Sequence, residues 1–377
     1  MSSAIDHIRP YHDNEVHQAL KHASKHPYFR VLLQFTFPEK NDQEIEEILD
    51  SCHSIFDFQT RVIYKSARNL LLKSSDGFSY SGFDKLDNNT SYLFISNHRD
   101  IVLDTSLLNV SLYDHNKVMT ASAIGDNLVE KDFLMELSKL NRNFLVRRGL
   151  PPREMLSSSK LLSHYIKDLH TQGRSIWIAQ GEGRTKDGND QTQQGVLKML
   201  AIAKGVATTS SYFRSLRIVP VSISYEYDPT DILKVPELIA KQKDLPYVKT
   251  PNEDFNSILK GALGFKKRIH IAVTPLEDHE YNVLDEKGSE NERLQAFAKA
   301  LDKKIHTHYK LWPSNYIAFD KLHNVTKYEA HYDAHELRQF DRRLERRVDT
   351  NNEMAIVSFL KMYATPVINA ERYEQQA

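Results

Sequence analysis

The feature that most constrains the fold of this chain is an alternation of periods along its middle. Short strand-like runs stand at 79–83, 91–96, 144–147, 175–179, 218–224 and 269–274, and helical patterns cover 127–140, 154–171 and 195–206. Asp87-Asn88-Asn89 reads as a turn between the first two runs. Gly173, after one helical pattern and before a strand, reads as a helix C-cap. Strands interleaved with helices predict an α/β domain with a mostly parallel sheet flanked by helices.

Both ends read as helical additions. Over 14–73, Ile45, Ile48, Cys52, Ile55, Phe56, Val62 and Ile63 recur at the three- and four-residue spacing of one helix face. Helical patterns return at 291–309 and 336–363. The expected division is a helical N-terminal region over 1–75, an α/β domain over 76–313 and a helical C-terminal extension over 314–377.

Composition narrows the function classes. Of the 377 residues, 40 % are hydrophobic and 27 % charged, as in globular proteins rather than disordered ones. Fifty Lys and Arg balance fifty Asp and Glu, so the formal charge is zero and nucleic acid is not an expected partner. The single cysteine, Cys52, allows no internal disulfide and fits a reducing compartment. Asp6, His7 and Arg9 precede no long apolar run, so the start does not read as a signal peptide, and no run of about 18 apolar residues occurs. The chain is expected in the cytoplasm, and a lipid substrate would be met from the side of the bilayer.

Four segments carry chemistry, each at the end of an expected strand, where ligands bind in open α/β sheets. In Ser96-Asn97-His98-Arg99-Asp100-Ile101-Val102-Leu103-Asp104 a strand delivers a histidine into a loop with two acids behind it. Neutral imidazole can take a proton from a hydroxyl, and an acid on its other nitrogen fixes the tautomer. A strand-end histidine beside a helix-capping acid is the competing reading. His98-Arg99-Asp100 also spells the kinase catalytic tripeptide, but the asparagine required five residues after the aspartate is Thr105, and kinase chemistry is excluded.

The second segment, 141–148, ends in Arg147 and Arg148, a pair able to hold a phosphate or simply to sit in solvent. In the third, 179–188, glycines around Glu182 and Gly183 with Arg184 and Lys186 would let amides and cations approach an anion. The fourth, 218–225, reads as a buried strand with Pro220 near its start.

Together and in this order the four segments resemble the acyltransferase superfamily of glycerol-3-phosphate and 1-acylglycerol-3-phosphate acyltransferases. The family shows a His-x4-Asp motif, a Gly-x-Phe-Ile-x-Arg-like block, a Glu-Gly-x-Arg-Ser loop and a Val-Pro-Val-x-Ile strand. The resemblance covers 78–225, with a further strand at 269–275. It implies an acyltransferase-like fold and acyl transfer from acyl-CoA or acyl-carrier protein to glycerol phosphate or a lysophospholipid. No further cofactor and no metal are implied. His98 would be the general base and Asp104 its orienting partner, with Asp100 as the alternative. Arg147 or Arg148, Glu182, Gly183 and Arg184, with Lys186 beside them, would bind the acceptor and its phosphate. Pro220 would form a wall of the acyl-donor site, and amides around Gly181 to Gly183 would serve the oxyanion.

The sequence departs from the family in three places. Its motif is His-x5-Asp, with Leu103 where the aspartate is expected, so either the loop bulges to let Asp104 reach His98 or Asp100 serves. Glu182-Gly183-Arg184 lacks the spacer before its arginine. Asn141 or Asn143 replaces a glycine in the second block. Two alternatives stay open: an acceptor such as an amino lipid, or a silent lipid- or acyl-carrier-binding module. Leu337, Phe340, Leu344 and Val348 form a stripe among Arg338, Arg342, Arg343, Arg346 and Arg347, which suits either peripheral contact with an anionic membrane or docking on the core. His331 and His335 share metal-ligand spacing but read as surface residues.

Overall fold

The computed structural model describes residues 2–374. Among the described residues seven strands form one sheet: β1 (Gly77–Ser81), β2 (Leu93–Ser96), β3 (Thr120–Gly125), β4 (Asn143–Val146), β5 (Ser175–Ala179), β6 (Ile218–Tyr225) and β7 (Arg268–Val273). Their order is β1-β7-β6-β2-β5-β3-β4. Only the β6–β7 pair is antiparallel; every other neighbouring pair is parallel. The fold is α/β, with helices on both faces and helical regions at both ends, as the alternation predicts.

The central strands are apolar on both faces because both faces are covered. In β2, Leu93 and Ile95 join Ile176 and Ile178 of β5 under the helices Pro152–Thr171, Gln194–Ala201 and Glu290–Thr307. Their alternates Phe94 and Trp177 pack on the opposite face with Leu107, Leu108 and Leu112 of the helix Leu103–Asp114. This period-two division places the end of β2 between two cores and fixes the direction in which its following loop leaves. Pro220 lies within the central strand β6. Its carbonyl accepts from Thr274 beyond the end of β7, and pairing with β7 begins only at Val221, so the missing N–H faces no ladder partner.

Several sequence expectations change. The N-terminal stretch is not one helix face: the helix Asp42–Asp50 stops, and Ser54 caps a new start by accepting from Asp57 N–H. Phe56 consequently turns into solvent, while Cys52 is buried and its thiol is pushed up to about 11 by that burial. A π-helical turn at Gln59–Ile63 follows. The expected C-terminal helix is two, Ala334–Arg347 and Glu353–Glu374. β3 and the helices Asp231–Gln242, Glu253–Leu263 and Pro313–His323 were not expected.

The amphipathic helix Ala334–Arg347 docks on the protein. Phe340 and Val348 are buried, and Leu337 and Leu344 pack beside them against the last helix. Arg343 is buried too, donating to Asp231 at 2.8 Å and to the Asp228 carbonyl at 2.7 Å. The stripe therefore offers no apolar face to a bilayer, because the core already covers it. His331 stacks on Tyr316, and His335 meets Gln339 at 2.8 Å. Among the described residues no helix is long and apolar enough to cross a membrane.

Candidate active site

The site lies at the carboxyl ends of β2, β5, β3 and β4. Two residues beyond β2, His98 turns Nδ1 to Asp104 Oδ2 at 2.8 Å. The same oxygen accepts the backbone N–H groups of Arg99 at 2.6 Å and Asp100 at 3.0 Å, and Oδ1 accepts Tyr225 Oη–H at 2.8 Å. Asp104 is fully buried and every polar contact it makes is a donor, so it acts as an acceptor that puts the imidazole proton on Nδ1. Nε2 is then the nitrogen left with a lone pair, and His98 is one of the residues lining the cavity. Trp177 holds the ring edge-to-face, with centroids 5.4 Å apart. Burial, together with the Asp104 charge, pushes the Tyr225 phenol well above its ordinary range, so it stays a donor.

The geometry resolves the extra residue in the His-x5-Asp spacing. Asp100 Oδ1 accepts from Val102 N–H at 3.0 Å and Leu103 N–H at 2.8 Å, closing a turn before the helix starts. The turn absorbs the added residue and lets Asp104 face back toward His98. Asp100 itself does not meet His98. Its other oxygen, Oδ2, is buried without a partner, and burial and then the Asp104 charge raise its pKa. Gly261 makes room for it: a Cβ there would lie 2.0 Å from Asp100 Oδ2.

The glycine loop after β5 runs beside this turn. Gln180 N–H donates to the Ser96 carbonyl and Thr185 N–H to the His98 carbonyl, both at 2.8 Å. Buried Arg99 donates to buried Asp190 at 2.5 Å, and Asn97 is held by both the N–H and the carbonyl of Ile223. Gly183 has φ +72°, where a side chain would be strained. Glu182 N–H is engaged by Gln193 Oε1 at 2.9 Å, so the oxyanion expectation narrows to its neighbours.

Arg184, Lys186, Arg148, Glu182 and Gly183 all line the cavity of about 340 Å³ beside His98. Arg184 Nη1 is buried with no partner. Arg148 meets Glu182 at 2.8 Å and Lys186 meets Glu237 at 3.1 Å. Both are partly exposed pairs, worth about 0–1 kcal/mol, that an incoming anion can replace. Arg147 and Pro220 do not line the cavity: Arg147 points into solvent, and Pro220 is buried in β6. The remaining wall is mixed, with Ile63, Val102, Val110, Met119 and Trp177 facing Asn109, Ser122 and Asn143.

Sequence reasoning missed Tyr225, Lys234, Asp190 and Trp177. Tyr225 and Lys234 reach the motif from 121 and 135 residues away, and no local spacing announces them.

Residues 77–224 match the family model described as Acyltransferase. No curated protein matches the chain. Among solved structures, the chain is similar to the 1-acyl-sn-glycerophosphate (LPA) acyltransferase PlsC from Thermotoga maritima. The TM-score is 0.38 and the identity 11 %, with 78 % of this chain and 93 % of that chain covered.

Proposed function

We propose, on the premise that residues 77–224 are a domain of the acyltransferase family, that the chain moves a fatty acyl group from an acyl thioester to a lipid-precursor hydroxyl. The donor is acyl-CoA or acyl-carrier protein, and the acceptor is glycerol 3-phosphate or 1-acylglycerol 3-phosphate. The observation that carries this reading is the His98–Asp104 pair at the edge of a cavity that both His98 and Arg184 line.

His98 Nε2 takes the proton of the acceptor hydroxyl as its oxygen attacks the thioester carbonyl carbon. The negative charge on the tetrahedral oxygen is met by amides of the glycine loop. The C–S bond then breaks, and the imidazolium returns its proton to the departing thiolate. Products are the ester and the free thiol. No covalent acyl-enzyme is involved, and Cys52 lies among the N-terminal helices. Arg184 is the residue for the acceptor phosphate, joined by Arg148 and Lys186 when their carboxylate partners are displaced.

Membrane contact, in this reading, falls to the helices Pro27–Thr36 and Glu253–Leu263. They expose Tyr28 (52 %), Val31 (60 %), Leu259 (41 %) and Leu263 (65 %), with Lys25, Arg30 and Lys260 also in solvent. Tyr28 and Phe255 join the two helices, with ring centroids 5.6 Å apart, and Asp254 and Ser257 of the second helix line the cavity. Apolar side chains rimmed by cations suit the surface of an anionic bilayer.

Turnover on a panel of glycerol 3-phosphate, lysophospholipid and amino-lipid acceptors, each with acyl-CoA and acyl-carrier-protein donors, tests the reading. Ester formation on a phosphate-bearing hydroxyl acceptor supports it. Transfer to amines alone refutes the acceptor, and no transfer with any pair refutes the activity.

A further inference from the structure

We propose that Lys234 is a positioning residue for the His98–Asp104 pair, acting through the peptide unit between Arg99 and Asp100. Lys234 Nζ donates to the Arg99 carbonyl at 3.1 Å. The N–H at the other end of that same peptide unit, from Asp100, donates to Asp104 Oδ2 at 3.0 Å. Asp104 Oδ2 in turn receives His98 Nδ1 at 2.8 Å. An ammonium on a carbonyl oxygen polarises the amide and strengthens its N–H as a donor. The plane of the peptide is thereby held between a cation and a carboxylate, so the Asp100 N–H keeps its aim at Asp104 Oδ2.

The lysine is built for a fixed position. It is 2 % exposed and sits on the helix Asp231–Gln242, beyond residues 77–224. Asp228 pairs with its ammonium and is itself held by the N–H and hydroxyl of Thr230. The helix start is anchored by Asp231, which accepts from Arg343 and from Tyr363 at 2.8 Å each. The charges facing Lys234 are Asp228, Arg184 and Arg99. Burial lowers its pKa, Asp228 opposes that shift, and the two arginines add to the lowering. A buried ammonium among arginines is costly unless it is paired and hydrogen-bonded, and Asp228 and the Arg99 carbonyl meet that need.

The proposal rests on His98 as the base, and the two are tested separately. In Lys234→Met, kcat should fall about 10- to 100-fold, as for a misplaced catalytic group, while KM for donor and acceptor stays within about 3-fold. The downfield proton resonance of His98 Nδ1–H should move or broaden. Lys234→Arg, which can still donate to the carbonyl, should recover most of kcat. Removing the lysine alone leaves Asp228 buried and unpaired, so Asp228→Asn/Lys234→Met serves if the single variant does not fold, with the same expectation. Normal kcat, an unchanged resonance, or a loss confined to the acceptor KM would overturn the positioning role. His98→Ala with normal turnover would instead overturn the base, whatever Lys234 does.

Discussion

Tyr225 donates its hydroxyl to Asp104 Oδ1 at 2.8 Å, across the carboxylate from the oxygen that holds His98. The two contacts pin both oxygens, so the aspartate has one orientation. Tyr225→Phe leaves Oδ1 buried without a donor, at a cost of about 1–3 kcal/mol. Denaturant unfolding should show that loss, and kcat should fall with KM little changed. An unchanged midpoint together with unchanged kcat would mean that Oδ1 needs no partner.

Asp104 and Asp100 are separable by isosteric change. Asp104→Asn removes the negative charge that holds the imidazole and stabilises the imidazolium as it forms, and kcat should fall by about two to four orders of magnitude. Asp100→Asn keeps the oxygen that caps Val102 and Leu103 and removes only a carboxylate whose charged form is already disfavoured. It should retain kcat within about 10-fold. Equal losses in steady-state kinetics would refute the division of roles.

How much of this was legible depended on how local each signal was. The alternation of strand-like runs and helices predicted the α/β sheet, because apolar residues at period two in β2 and β5 are buried on both faces. β3 escaped notice because Thr120-Ala121-Ser122-Ala123 has no bulky apolar residue, its burial being supplied by neighbouring strands. His98 and Asp104 stood out as a motif. The reason for their extra residue, a turn closed by Asp100 and accommodated by Gly261, depends on a helix more than 150 residues downstream. The basic stripe at 337–348 was read correctly as amphipathic, but amphipathicity alone does not say what covers the apolar side.

Gly261→Ala probes that accommodation. Its Cβ would lie 2.0 Å from Asp100 Oδ2, which belongs to a closed turn and cannot rotate freely away. Overpacking of this kind costs about 1–3 kcal/mol. A lower Tm with reduced kcat is expected; wild-type values for both would show that the turn yields.

Asp302 supplies a pH test. Burial raises its pKa from the ordinary 3.8 to about 6, against the Thr192 N–H that it accepts. The native chain therefore holds this proton more tightly than the unfolded chain does. Its contribution to stability is fully present below about pH 4 and is lost as pH rises to about 6. Asp302→Asn keeps the acceptor for Thr192 and removes the titration. Relative to wild type it should gain up to about 3 kcal/mol between pH 4 and pH 7 by denaturant unfolding. A pH-independent difference would contradict the assignment.

The proposed lipid-facing surface predicts that Val31→Glu with Leu263→Glu reduces co-sedimentation with anionic vesicles. Neutralising Arg338, Arg342 and Arg346 should have a much smaller effect, since the apolar side of their helix is buried. Binding lost only in the arginine variants would reverse the placement.

The central claim is that His98 takes the acceptor proton. Turnover by His98→Ala, with an acyl thioester and whichever acceptor the wild-type protein uses, tests it most directly. Loss of about two to four orders of magnitude in kcat with an unchanged unfolding transition is the predicted result. Near-normal turnover in that variant would contradict it.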